Sequence, residues 1–305
     1  MTDQRYTTPA AIDRAVADRV RQRYPAGEVA ARRNEVAYRR LVARLFALSP
    51  DGWVLRGGYA MILRLDPNRT SNDIDVAHIH AAGEHAVALR ELERAMQLDL
   101  GDFFAFEVVR VGGATPERAR RITVRCRLGA REFATFRVDL AAPEEDVPME
   151  RLAELPPLIG IEQVDETPPV LVIAWVQQIA EKTCAMIESH EGAHSSRARD
   201  LVDISLIAEQ IDGIDGDELI GAVRAEAERR RTRSLPDGLP ARLVLTAEHE
   251  TEWRSMFPGA MRNADVEFDQ ALEIAQRFLD PVLDGSAADR VWDAPRREWR
   301  PSATG

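Results

Sequence analysis

The chain has 305 residues, 45% of them hydrophobic and 30% charged, with 51 acidic against 40 basic side chains and a formal net charge of −11 at pH 7. Such a balance suits a globular protein of one large or two ordinary domains, and it excludes one that coats nucleic acid with a uniformly basic surface. No run of about 18 apolar residues occurs and the acid-bearing N-terminal stretch has no apolar core, so neither a membrane span nor a secretory signal is expected.

Residues 9–48 predict helix in two pieces, broken near "YPAGE", with Val29, Val36, Leu41 and Leu45 among the apolar positions. "WVLRGG" predicts a short buried strand, Trp53 to Arg56, that ends at Gly57 and Gly58. "YAMILRL" then predicts a short helix, "DIDVAHI" a strand and "EHAVALRELERAM" an amphipathic helix. Three strand-like runs follow: "FFAFEVVRV", "RITVRCRL" and "EFATFRVDL". The second alternates, with Ile122, Val124, Cys126 and Leu128 on one face and Thr123, Arg125 and Arg127 on the other. In the third, Ala134, Phe136, Val138 and Leu140 face one way, and Thr135, Arg137 and Asp139 the other.

Proline-rich "AELPPLIG" and "DETPPV" mark a boundary near 155–170. Beyond it, residues 171–188 predict a helix whose stripe includes Val172, Trp175, Val176, Ile179, Met186 and Ile187. Further helices are expected at about 196–210, 216–230 and 261–283, and the tail "DAPRREWRPSATG" reads as poorly ordered. The expected class is α+β: N-terminal helices in 1–50, a mixed-sheet core in 51–160, a helical C-terminal domain in 161–290 and a tail from 291 to 305. Cys126 and Cys184 stand in apolar contexts and read as reduced core thiols of a cytoplasmic protein.

Three features of the sheet region carry chemistry. Gly57 and Gly58 let the backbone approach a ligand closely, although a double glycine after a strand is more often only a turn. In "SNDIDV", Asp73 and Asp75 lie two apart on a strand and share a face, where paired carboxylates repel unless a cation joins them. A hard cation such as Mg²⁺, with Mn²⁺ as a substitute, matches that donor set. Asp139 sits on the polar face of a later strand; if the two strands are neighbours, it completes a three-carboxylate metal site. On its own it would be a strand-end aspartate exposed to water. His78 and His80 have no further Cys or His at ligand spacing and read as ordinary strand-end residues.

The order strand, Gly-Gly, helix, Asp-x-Asp and later Asp resembles the polymerase-beta-type nucleotidyltransferase fold. That resemblance implies a mixed sheet with flanking helices, phosphates held at the glycine turn and metals held by the aspartates. A narrower resemblance is carried by "LRGGYAMILRLDPNRTSNDIDV", "WVQQIAEKTCAM" and "SSRARDLVDISLIAE", which are similar to the motifs of the AbiEii nucleotidyltransferase toxin family. Together they flank residues 53–210. The resemblance implies a cytoplasmic toxin paired with an antitoxin, one that transfers a nucleotide from a nucleoside triphosphate to RNA, notably the tRNA 3′ end, and so blocks translation.

Carried over by motif, Gly57, Gly58 and Ser71 fall with the nucleotide contacts, Asp73 and Asp75 on the metal pair, Lys182 on the motif lysine and Asp203 on the last motif aspartate. Tyr59 departs from the family, where many members have Ser or Thr after the glycines, which puts a hydroxyl contact to phosphate in doubt at that position. Lys182 is the single lysine among the 40 basic residues. Asp200 and Asp203 share a helix face, so Asp203 can pair with Lys182 or orient the acceptor, while Arg197 and Arg199 can contact triphosphate or form surface ion pairs. Arginines at 118–131 and 229–233 are solvated faces or contacts to an acceptor. Two other functions stay open: a small-molecule nucleotidyltransferase of the antibiotic-modifying kind, and a catalytically silent nucleotide- or partner-binding module.

Overall fold

A computed structural model describes residues 5–65, 71–81, 85–114, 119–141, 147–190, 193–232, 234–235, 237–260 and 267–302. They divide into two compact units, Met1–Ile173 and Ala174–Gly305. Among the described residues no helix is long and apolar enough to cross a membrane.

In the first unit, helix α1 (Pro9–Arg23) starts where Thr8 accepts a hydrogen bond from the Ala11 N–H and Pro9 supplies a pre-set φ. After a 3₁₀ turn at Ala26–Glu28 comes α2 (Val29–Leu48), then β1 (Trp53–Arg56), α3 (Gly57–Ile62), β2 (Asp73–His78), α4 (His85–Met96), β3 (Phe104–Ala114), β4 (Arg120–Leu128), β5 (Arg131–Ala141), β6 (Met149–Leu152), α5 (Glu162–Asp165) and β7 (Val170–Ile173). The seven strands form one mixed sheet in the order β3-β4-β5-β2-β1-β7-β6, parallel at β2–β5 and β1–β7 and antiparallel elsewhere. The α+β expectation holds. Ile122, Val124, Cys126 and Leu128 of β4 and Ala134, Phe136, Val138 and Leu140 of β5 are buried, as the alternation predicts, in one core with Val36, Leu41, Leu45 and Phe46 of α2.

Arg32, Arg39, Arg40 and Arg44 of α2 are buried with that core, and Arg32 pairs with Glu28, just before the helix, and Glu35 within it at 3.0 and 2.9 Å. Arg40 and Arg44 converge on Asp102, itself fully buried, with Nε and Nη2 at 2.6 and 2.7 Å from its carboxylate oxygens. Burial alone would push the Asp102 pKa up, but the two guanidiniums override it and hold the carboxyl below its usual range. Arg39 donates to the Pro156 carbonyl and Arg40 to those of Val164 and Glu166. Asp165 accepts from the backbone N–H groups of Leu158, Ile159, Gly160 and Ile161. The proline-rich stretch is therefore bound to the first unit by its backbone, which explains why that unit runs on to Ile173, past the expected break at 160. Val172, expected on a helix, belongs instead to β7, opposite Leu55 of β1.

The second unit is mainly helical: α6 (Trp175–Ile187), a two-residue pair of strands β8 (Ser189–His190) and β9 (Ala193–His194), then α7 (Ala198–Gln210), α8 (Gly216–Arg230), α9 (Ala247–Ala260), α10 (Phe268–Leu283), β10 (Arg290–Asp293) and β11 (Glu298–Pro301). Helix α9 had no counterpart in the sequence expectation, and 261–266 lie outside the described residues. The expected loose tail is, up to residue 302, an antiparallel hairpin that pairs Trp292 with Trp299. Both indoles are buried against Phe278, and their N–H groups donate to the carbonyls of Ala208 and Phe278 at 2.7 and 2.9 Å. Two large aromatic side chains with satisfied polar edges are enough to tie down an otherwise polar segment.

Candidate active site

Strands β2 and β5 are parallel neighbours, and their register sets Asp75 opposite Asp139 and Asp73 opposite Arg137. Ile74 and Val76 are buried, so Asp73 and Asp75 project together from the other, partly exposed face. Antiparallel pairing of β1 sets Arg56 opposite Asp75, and that of β4 sets Arg121 opposite Asp139. Ser71 is buried just before the strand; its hydroxyl donates to the Asp73 carbonyl at 2.9 Å, with the Asp73 Oδ1 at 3.5 Å, so it fixes the aspartate's approach to the sheet.

Gly57 follows β1 with φ of +60°, in the left-handed region that favours glycine, and opens α3. A Cβ built there would lie 2.0 Å from Asp75 Oδ2 and 2.7 Å from its Cγ. The Asp75 carboxylate therefore occupies the space that any side chain at 57 would need. Gly57→Ala is expected to displace that carboxylate and to strain the backbone by roughly 1–3 kcal/mol. With Asp75 in the metal-binding role that the sequence resemblance implies, a misplacement of about 1 Å would cost on the order of 10²-fold, so transfer should fall by that factor with only modest loss of stability. Thermal unfolding and single-turnover transfer measured on the same preparation check both halves. Gly58, the second residue of α3, is half-buried. Tyr59 is only 2% exposed and packs edge-on against Tyr38, with ring centroids 5.5 Å apart, so its hydroxyl faces the core and is not available to a phosphate.

Asp139 is held by one edge of the Arg121 guanidinium, Nε donating to Oδ1 at 2.9 Å and Nη2 to Oδ2 at 2.8 Å. Arg137 Nη2 stands 3.8 Å from Asp73 Oδ2. Among the described residues no group of three or more His, Cys, Asp or Glu side chains is arranged to hold a metal ion. The donor set nonetheless fits a hard divalent cation in type and register: two carboxylates on one strand face, and a third on the adjacent strand opposite one of them. The third is engaged with Arg121. His78 is a core residue, its ring 4.8 Å from that of Trp53 and edge-on to it, and burial lowers its pKa.

In the second unit the single lysine lies between two acids. Lys182 Nζ of α6 is 2.7 Å from Asp200 Oδ1 and 2.5 Å from Asp203 Oδ2, both on α7. Lys182 is 7% exposed, Asp200 8% and Asp203 0%. The spacing of three along α7 turns both carboxylates to one face, toward α6. The ammonium is thus more than neutralised by its own neighbours, and a contact between Lys182 and a phosphate would exchange one of these bonds. Arg197, the residue preceding α7, is exposed, as is Arg199. Ser195 lies beneath them, its hydroxyl donating to the Ala185 carbonyl and its own carbonyl receiving Trp253 Nε1 at 2.7 Å.

The expected basic clusters are largely compensated. Arg125 pairs with Glu107 and Glu132, and Arg127 with Glu107. Arg229 and Arg230 pair with Glu226, Arg230 also with Glu188, and Arg231 with Glu228. Arg118 and Arg233 lie outside the described residues. Strand alternation separates Arg120 from Arg121, Arg125 and Arg127: it shares the side of Ile122 and Val124, at the strand end. What sequence reading missed is Arg121 as partner of Asp139 and Arg56 as register partner of Asp75. Neither has a sequence signal of its own, because strand register decides both.

The solved structure of MenT4, a nucleotidyltransferase toxin from Mycobacterium tuberculosis H37Rv, is similar at a TM-score of 0.54 and 20% identity, covering 91% of this chain and 98% of that one. At that identity the likeness speaks for the fold. JHP933 from Helicobacter pylori is similar at a TM-score of 0.46 and 16% identity, over 85% of this chain and 95% of that one. No curated protein matches the sequence. The profile of the family described as nucleotidyl transferase AbiEii toxin, type IV toxin–antitoxin system, matches residues 39–274. The chain belongs to the AbiEii nucleotidyltransferase toxin family and is a nucleotidyltransferase.

Proposed function

We propose that this enzyme transfers a nucleotide from a nucleoside triphosphate to an RNA acceptor, that the acceptor is the 3′ end of tRNA, and that the transfer blocks translation in the cytoplasm until the cognate antitoxin counters it. The single observation that carries the catalytic half is the register that sets Asp75 opposite Asp139 with Asp73 beside them on one partly exposed sheet face. Asp73 and Asp75 would hold Mg²⁺ or Mn²⁺, with Asp139 as the third ligand. A divalent ion bound there supplies activation of the attacking hydroxyl and stabilisation of the leaving pyrophosphate. Ser71 fixes Asp73, and Gly57 leaves room for Asp75 and for close approach of the nucleotide phosphates at Gly57–Gly58. The family resemblance gives Lys182, Asp203 and Arg197 a role toward the nucleotide; Lys182 would exchange a bond to Asp200 or Asp203 for one to phosphate, and the Arg197 backbone N–H donates to Ser195 Oγ at 3.3 Å.

An RNA acceptor requires basic side chains that phosphate can compete for. Arg125, Arg127 and Arg137 stand on the same face of β4 and β5 as the aspartates, with side chains 33%, 46% and 48% exposed. Exposed ion pairs are worth little, so a polyanion can take these arginines from their carboxylates despite the net charge of −11. The test is RNA affinity measured across a salt series for the parent chain and for Arg125→Ala combined with Arg127→Ala. The double variant should bind more weakly, and its slope against log salt should flatten by about 1.4, or about 0.7 for each lost phosphate contact. An unchanged slope would place the RNA elsewhere or favour a small-molecule acceptor.

A further inference from the structure

One row of charge crosses four adjacent strands on the open face of the sheet: Arg121 on β4, Asp139 on β5, Asp75 on β2 and Arg56 on β1, each the register partner of the next. Two carboxylates in the middle of such a row repel each other, and in the protein without metal their compensation has to come from side chains. Arg121 supplies it to Asp139 through a two-point fork at 2.9 and 2.8 Å. The fork is accessible, at 47% exposure, while the carboxylate beneath it is at 13%.

We infer that Arg121 is an exchangeable counter-ion of the metal site: it keeps Asp139 out of the ligand set, and gives it up when metal and nucleoside triphosphate bind together. The inference rests on the reading of Asp73, Asp75 and Asp139 as the metal-binding set. Its physics has three parts. A guanidinium bonded to a would-be ligand places a positive charge within a few ångströms of an incoming cation and so weakens binding of the metal alone. The guanidinium of the pair is open to solvent at 47%, so a competing anion can reach it and exchange with the carboxylate. The planar fork matches phosphate as well as it matches carboxylate, so once released, Arg121 has a new partner on the nucleotide. Metal and nucleotide should therefore bind with positive coupling, and Arg121 is the residue that carries it.

The experiment is Mn²⁺ binding, followed by the magnetic resonance signal of the free ion, with and without a non-hydrolysable nucleoside triphosphate. The parent chain, Arg121→Ala, Asp139→Asn, the double variant and Asp75→Asn are compared. Arg121→Ala is expected to bind Mn²⁺ alone roughly 3- to 10-fold more tightly than the parent, and to gain less from added nucleotide. Adding Asp139→Asn should abolish the gain. Affinity that is unchanged or lower in Arg121→Ala, or a gain that survives Asp139→Asn, overturns the inference while leaving the site reading intact. Mn²⁺ binding that survives Asp75→Asn overturns the site reading and the inference together.

Discussion

Asp75→Asn is expected to lose nucleotide transfer by on the order of 10³-fold or more, the scale of a lost preorganised charge at a phosphoryl-transfer centre. Its fold should persist. Asp75 faces Asp139 across one strand boundary and Arg56 across the other, so removing its charge relieves a repulsion and loses an attraction of similar reach. Thermal stability without metal should stay close to that of the parent chain. With Mg²⁺ at about 100 times its dissociation constant, the parent should gain about 2.7 kcal/mol, and Asp75→Asn should gain nothing. Melting curves with and without Mg²⁺, paired with single-turnover transfer, decide between roles: a large loss of stability in the absence of metal would make Asp75 structural.

Lys182 gives the second large effect, and it appears first in stability. Lys182→Ala leaves Asp200 and Asp203 facing one another, 8% and 0% exposed, without the ammonium between them. Removing one partner of a buried ionic cluster costs roughly 3–5 kcal/mol. Lys182→Arg keeps the charge, but a broad planar fork has to fit where a compact ammonium reaches two carboxylates from one point. It should recover part of the stability and little of the transfer. Lys182→Met with Asp203→Asn separates the two contributions, since the pair removes charge from both sides. Chemical denaturation should find it more stable than Lys182→Ala, and transfer should remain lost. Wild-type transfer in that double variant would reduce the cluster to a structural clasp between α6 and α7.

The parts of the fold that were legible are those set by local pattern. The alternation in "RITVRCRL" and "EFATFRVDL" located β4 and β5 and their buried faces, and Trp53 to Arg56 emerged as β1. Alternation also placed Asp139 on the polar face, but only the β2–β5 pairing brought it opposite Asp75. What was not legible depends on partners distant in sequence. The 155–166 stretch looks like a linker because it is rich in proline, yet its carbonyls and N–H groups are claimed by Arg39, Arg40 and Asp165. Val172 reads as helical by periodicity and becomes a strand residue because β1 offers it a parallel edge. The hairpin at 290–301 depends on Phe278 of α10, and Arg121 becomes significant only through its register with Asp139.

That the enzyme moves a nucleotide, using Asp75, is tested most directly by the fate of two labels. Each nucleoside triphosphate is supplied once with its α-phosphate labelled and once with its γ-phosphate labelled, together with total RNA and Mg²⁺, to the parent chain and to Asp75→Asn. Label from the α-phosphate should enter RNA of tRNA size with the parent chain alone, for at least one of the four nucleotides, while γ-label leaves as pyrophosphate. Transfer of γ-label to RNA, or α-label entering equally with Asp75→Asn, would contradict the account.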